Sequence, residues 1–191
     1  MQSFAEPPWT APLDVAAELR RVPENLTQKG MFIIPMIVEA KKRGVVLPSA
    51  RDRYVPFQDY PLREHVALLA ESAAAFYPEM PFRQALRRLG RGGYRAFLES
   101  TVGKVVWSSV SDTHGALLGI LRGYEIGVPG CSARVLERRD KAAVIRLERV
   151  PYFLDSHHVG CFEGALKAIG VEGHITLRLD NSHTGDFLCA W

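Results

Sequence analysis

Apolar residues recur every three or four positions as far as about Leu121, and every second position after Pro129. A chain that changes period in this way must place helices first and a sheet last. In the first part, Leu62, Val66, Leu69, Ala73 and Phe76 mark one stripe of a helix that Pro61 opens and Pro78 stops. Pro81 starts another, with Ala85, Leu86, Leu89 and Phe97 on its apolar side, while Gly90, Gly92 and Gly93 predict a break or a close helix contact. From Thr101 to about Leu121, the spacing of Val102, Val106, Val110, Leu117, Leu118 and Leu121 supports helix, and the polar run Ser111-Asp112-Thr113-His114 provides a helix break or cap. Upstream, MFIIPMIVEAKKRG reads as a helix: Pro35 sits in its first turn, Lys41, Lys42 and Arg43 lie at the negative end of its dipole, and Gly44 caps it. Val45 to Tyr60 reads as loop.

In the second part, residues 131–137 and 142–150 alternate as a hairpin about Arg138-Arg139-Asp140-Lys141. A helix follows near 156–169, with Asp155 or Ser156 as N-cap, an apolar stripe of Val159, Phe162, Leu166 and Ile169, and Gly170 as C-cap. A second hairpin then sets Ile175, Leu177 and Leu179, and Phe187, Cys189 and Trp191, about a turn from Asn181 to Gly185. The predicted fold is α+β, an N-terminal helical layer followed by a ββαββ antiparallel four-stranded sheet. Residues 1–30, with Pro7, Pro8, Pro12 and Pro23, form a Pro-rich arm carrying one short element around Val15 to Val22; residues 31–191 form a single domain, helical over 31–125 and ββαββ over 130–191.

Composition narrows the function. With 47% hydrophobic and 24% charged residues, the chain has an ordinary globular balance. Its 24 Lys and Arg against 21 Asp and Glu give no general excess of positive charge that would mark a nucleic-acid binder. No apolar run approaches the ~20 residues that span a bilayer, and residues 1–13 lack the basic and apolar regions of a signal peptide. Cys131, Cys161 and Cys189 are widely spaced, with no CxxC, as suits reduced thiols. A cytoplasmic protein with no specific nucleic-acid partner and no membrane span is expected.

Three segments carry a family resemblance: GMFIIPMIVEAKKRG at 30–44, YPEMPFRQALRRLGRGGYRAFLESTVGK at 77–104, and CFEGALKAIG at 161–170 with the closing strand FLCAW at 187–191. They resemble a family of unknown function, found chiefly in myxobacteria, whose recurrent tract reads YPELP…ALRRLGR. More distantly, the ββαββ end is similar to 4-vinyl-reductase-type small-molecule-binding domains, to heme nitric-oxide-binding domains and to TRAPP-type vesicle-tethering subunits. That resemblance implies a helical layer over an antiparallel sheet with a hydrophobic ligand, heme or an acyl chain between them; chemistry does not transfer with a fold. The cysteine pattern of the first relatives is matched at Cys161 and Cys189 but holds Leu179-Asp180-Asn181 at its middle position. The Tyr-Ser-Arg triplet of the heme-binding relatives is missing, which places an apolar organic ligand ahead of heme.

Four constellations remain. Tyr94, Phe97, Trp107 and Phe162 can line an apolar cleft, and His114, four residues on from Val110, can be an axial ligand or a pocket donor; plain core packing is the competing role for each. Arg83, Arg87, Arg91 and Arg95 repeat every four residues, with Arg88 adjacent, and form a ridge suited to an anion or an acidic partner, or else a solvated face. His157 and Cys161 share a helix face that His183 and Cys189 can approach from the last hairpin, a donor set suited to Zn²⁺, although isolated His and Cys are more often surface imidazoles and core thiols. Gly90-Arg91-Gly92-Gly93 follows a helix, lacks the Lys-Ser/Thr of a phosphate loop and predicts no nucleotide site; GxSxG and HExxH are absent. The expected function is a non-catalytic ligand-binding, sensory or regulatory domain, its apolar pocket lying between helices and sheet. The alternative is a protein-interaction module with a filled pocket that uses the arginine ridge or the sheet. Expected partners are a small hydrophobic ligand, a protein, or a second copy of the chain.

Overall fold

The computed structural model describes residues 3–108, 110 and 112–191. Asp14 caps a short helix, α1 (Val15–Arg21), by accepting a hydrogen bond from the Ala17 amide at 2.9 Å. A three-residue strand, β1 (Thr27–Lys29), leads into α2 (Gly30–Arg43), and its antiparallel partner β2 (Asp59–Pro61) leads into α3 (Leu62–Phe76). This ribbon lies in segments that the sequence presents as arm and loop; at three residues a strand, it is too short for a period of two to register. It sets α2 and α3 side by side and parallel: the Gly30 amide reaches the Gln58 carbonyl at 3.0 Å at one end, and Arg43 Nη1 donates to the Phe76 carbonyl at 3.2 Å at the other. Gly44 ends α2 at φ 65°, where its missing Cβ avoids the left-handed penalty.

The helix α4 (Phe82–Glu99) runs unbroken through its glycines. Of the two outcomes those residues predict, close contact is the one found. A Cβ on Gly90 would overlap the His157 carbonyl oxygen, and one on Gly160 the Arg87 carbonyl oxygen, so α4 and α7 (His157–Ala168) meet backbone to backbone. The helical stretch expected over 101–121 is divided into α5 (Thr101–Trp107) and α6 (Thr113–Gly127), with the polar run before α6 as the break or cap. Asp112 is responsible: its carboxylate caps α6 by accepting from the Gly115 amide at 2.6 Å. Ser111 and the side chains of Val102 and Val106 lie outside the described residues.

The four strands β3 (Ser132–Arg139), β4 (Ala142–Glu148), β5 (His174–Asn181) and β6 (Thr184–Ala190) form an antiparallel sheet in the order β3-β4-β6-β5, so each hairpin contributes one central strand. Register places Ile145 opposite Phe187 and Leu177 opposite the same Phe187, which fixes the inner face. That face is closed by Phe162 and Leu166 of α7 and Leu117 of α6, all at most 1% exposed. On the outer face Asp186 lies between Arg146 and Arg178 at 2.9 and 2.7 Å, one guanidinium from each neighbouring strand. A second apolar cluster gathers α2, α3 and the first half of α4, with Tyr152 and Phe153 from the segment before α7. The Pro-rich arm lies on the body: Ala5 bridges Leu177 at the β5 edge, and the Trp9 ring lies 4.2 Å beneath the Arg87 guanidinium.

Candidate functional site

Between the two apolar clusters lies a cavity of ≈ 360 Å³. Its walls come from α2, α3, α4, α6 and the first turns of α7, and among the described residues the four-stranded sheet contributes none. The expected position between helices and sheet is thereby corrected. Phe162, Phe187, Leu147 and Leu166 fill that space completely, each at 0% exposure, and the opening falls where five helices of unequal length fail to close on one another.

The polar lining is unusual for so apolar a space. Among the described residues, six buried side-chain atoms have no hydrogen-bond partner: Gln28 Oε1, His65 Nδ1, Ser72 Oγ, Tyr94 Oη, His157 Nδ1 and His158 Nε2. All except Ser72 belong to residues that line the cavity. An unsatisfied buried polar group costs about 1–3 kcal/mol, and a domain of ordinary stability holds only about 5–15 kcal/mol in total. Five such groups belong to residues around one space, which is where ordered water or a ligand can supply the missing partners once those side chains turn toward it.

The imidazoles form a cluster. His158 is held by Tyr124, whose hydroxyl lies 2.8 Å from its Nδ1, and its ring stands 5.3 Å from that of His157. The Tyr152 ring lies 4.9 Å from His158, 6.1 Å from His157 and 5.8 Å from His65. Burial pushes the imidazole pKa of His157 down to about 4 and that of His65 to about 3, with His157 adding to the effect at His65. Burial also lowers His158 well below its usual range, raises the Tyr94, Tyr124 and Tyr152 hydroxyls, and pushes the Cys161 thiol up to about 12. At neutral pH this end of the cavity carries no charge but many donors and acceptors.

Of the residues singled out for an apolar cleft, Tyr94 and Phe97 line the cavity. Phe162 is core, stacked on Tyr124 at 5.6 Å and near Phe187 at 5.1 Å. Trp107 packs behind Tyr94 at 5.8 Å. His114 meets the Trp191 ring edge-on at 5.1 Å, away from the cavity, because the break before α6 shifts its phase. The expected metal quartet is not gathered. His157 and Cys161 line the cavity, whereas His183 Nδ1 bonds the Val150 carbonyl at 2.9 Å in the last turn and Cys189 is buried in the sheet core. Among the described residues, no group of three or more His, Cys, Asp or Glu could hold a metal ion.

The arginine ridge exists, with carboxylates of the same chain laid against it. Arg83 pairs with Asp155; Arg87 and Arg91 share Glu163, the latter at 2.7 Å; Arg95 pairs with Glu99 at 3.2 Å. The Glu163 side chain is 5% exposed, so Glu163→Ala leaves two guanidinium groups without a counter-charge at the α4–α7 contact. A loss of about 2 kcal/mol is expected in urea unfolding; an unchanged midpoint would show that the pair contributes nothing to the contact.

Sequence reasoning missed His65, His158, Gln28, Tyr124, Tyr152 and Arg43 as cavity residues, and placed Arg88 only beside the arginine ridge. His65 was within reach, since it lies three residues after Leu62 and four before Leu69, in phase with the buried stripe. Gln28 carried no signal, because a strand of three residues has no readable pattern.

The fold is shared with solved H-NOX proteins. A Fe(II) unliganded H-NOX protein from K. algicida superimposes with a TM-score of 0.64 at 14% identity over 85% of this chain and 95% of that one. A single-substitution variant of it gives 0.66 at 12% identity with the same coverage. An H-NOX protein from S. oneidensis in the Fe(II)NO ligation state gives 0.58 at 14% identity over 84% and 97%. At such identities the likeness is one of fold. No curated protein matches the chain. The model of DUF2378, a protein family of unknown function, matches residues 26–191, and the chain belongs to that family.

Proposed function

We propose that this protein is a non-catalytic, cytoplasmic ligand-binding domain with a sensory or regulatory role, and that its ligand occupies the cavity between the helices. The observation that carries this reading is the gathering, around one apolar space, of five residues that each hold an unpartnered buried polar atom. The H-NOX-like fold supports it, since the solved H-NOX proteins include one in the Fe(II)NO ligation state and one studied for the distortion of its heme.

Heme itself fits this cavity in part. Neutral imidazoles with free ring nitrogens are suitable axial ligands. Against it, ≈ 360 Å³ is near the lower end of the ~300–1,000 Å³ typical of organic-ligand sites, which is tight for a tetrapyrrole with two propionates. The two lining guanidinium groups also provide little for a dianion: Arg43 is paired with Glu39 at 2.7 Å, which leaves Arg88. A smaller organic molecule fits better on both counts.

The test is native mass spectrometry with an absorption spectrum on freshly purified protein, followed by thermal melts with apolar organic ligands. A bound organic mass, or a rise in Tm with ligand concentration, is expected. A clean apo mass with no ligand-dependent rise would overturn the reading in favour of an interaction module.

A further inference from the structure

The cavity is polarised, and its two ends specify two parts of one ligand. At the end where α2 and α3 begin stand Gln28 and His65, joined by His157 and His158 from α7, all uncharged and with unpartnered atoms. At the end where α2 and α3 finish, Arg43 and Arg88 both lie over the Tyr77 ring, at 5.4 and 4.8 Å. Arg43 is balanced by Glu39, whereas Arg88 forms no ion pair among the described residues, so this end carries one net positive charge. His65 stands in the first turn of α3 and Phe76 closes it, an axial distance of roughly 16 Å at 1.5 Å per residue. A ligand that reaches both ends is therefore elongated.

Resting on the ligand-binding reading above, we propose that the ligand is an elongated, largely apolar monoanion whose carboxylate is held at Arg88 and whose far end carries an uncharged hydrogen-bonding group, a hydroxyl or carbonyl, against His65, His157 and Gln28. Charge decides the far end. Burial keeps those imidazoles neutral, so a second anion there would be desolvated without a counter-charge. A purely aliphatic tail would leave the same polar atoms unpaired.

Four probes of equal length separate the two ends: ω-hydroxydodecanoate, dodecanoate, dodecanediol and dodecanol, each titrated into the full chain by calorimetry. The hydroxy acid is expected to bind at least tenfold more tightly than either dodecanoate or the diol, and dodecanol most weakly. Arg88→Ala should weaken the hydroxy acid about tenfold and leave the diol unchanged; His65→Leu should remove the preference of the hydroxy acid over dodecanoate. Equal affinities for all four would overturn the two-ended assignment while leaving a ligand-binding cavity. Binding of hemin with a Soret band, and of none of the four, would overturn it in favour of a tetrapyrrole. Failure of all of these together with an apo mass would overturn both readings.

Discussion

Gly160→Ala is expected to lose about 3 kcal/mol of stability, at the upper end of the usual cost of overpacking. The added Cβ would overlap the Arg87 carbonyl oxygen. Both sides of that contact are helix backbone, so no side chain can turn away to make room, and α4 and α7 must separate. Gly90→Ala meets the same obstacle at the His157 carbonyl and should behave alike. A Cβ added to Gly92, two residues on in the same helix, would have nothing within 4 Å of it. Gly92→Ala should therefore stabilise the protein by up to about 1 kcal/mol through helix propensity alone. Urea unfolding of the three variants checks this: a similar small effect for all of them would mean that the helices do not meet at these glycines. Because the first turn of α7 carries His157 and His158, ligand binding should fall with stability in the first two variants.

The second large effect is on pH dependence. His65, His157 and His158 are neutral in the folded protein, with His157 lowered to about 4 and His65 to about 3, whereas an unfolded histidine titrates near 6.5. Below that value the unfolded chain binds protons that the folded chain refuses, so stability is fully present above about pH 6.5 and is lost as the pH falls toward the folded values. The loss between pH 7 and 5 is on the order of 2 kcal/mol for each histidine. Tyr124, Tyr152 and Cys161, which face the cluster, are held neutral as well, so none of them supplies a negative charge to soften the effect. The urea midpoint should fall steeply over that range in the unaltered protein and less steeply in His65→Leu. A flat profile would show that the imidazoles are hydrated, and with it the argument from unpartnered atoms would fail.

Both effects depend on residues that the sequence displays but does not bring together. The order of helices and strands was legible because each element follows a local rule: the stripe from Leu62 to Phe76, the alternation about Ile145, and the glycine that ends α2. The turn between α5 and α6 was half legible. The polar run at Asp112 has the composition of a break or cap, yet the apolar spacing on either side of it is close enough to helical to join the two into one element.

The site is another matter. Tyr94 and Phe97 are recognisable as cavity residues because both lie on the inner face of one helix, a property of a single segment. His65, Gln28, His157 and Arg88 come from four different elements, and nothing in their spacing along the chain says that they meet. The arginine ridge illustrates the same limit: its four-residue period is plain, but the carboxylates of Asp155 and Glu163 that lie against it are carried on the far side of the sheet hairpin in sequence. The sequence by itself determined the α+β class, the element order, most caps and the face each element buries, because hydrogen-bond geometry and hydrophobic period act over a few residues. Only the tertiary structure decided where space was left between the helices and which polar residues line it, because a cavity is set by how separate elements pack, and the close contacts of α4 and α7 at Gly90 and Gly160 place them.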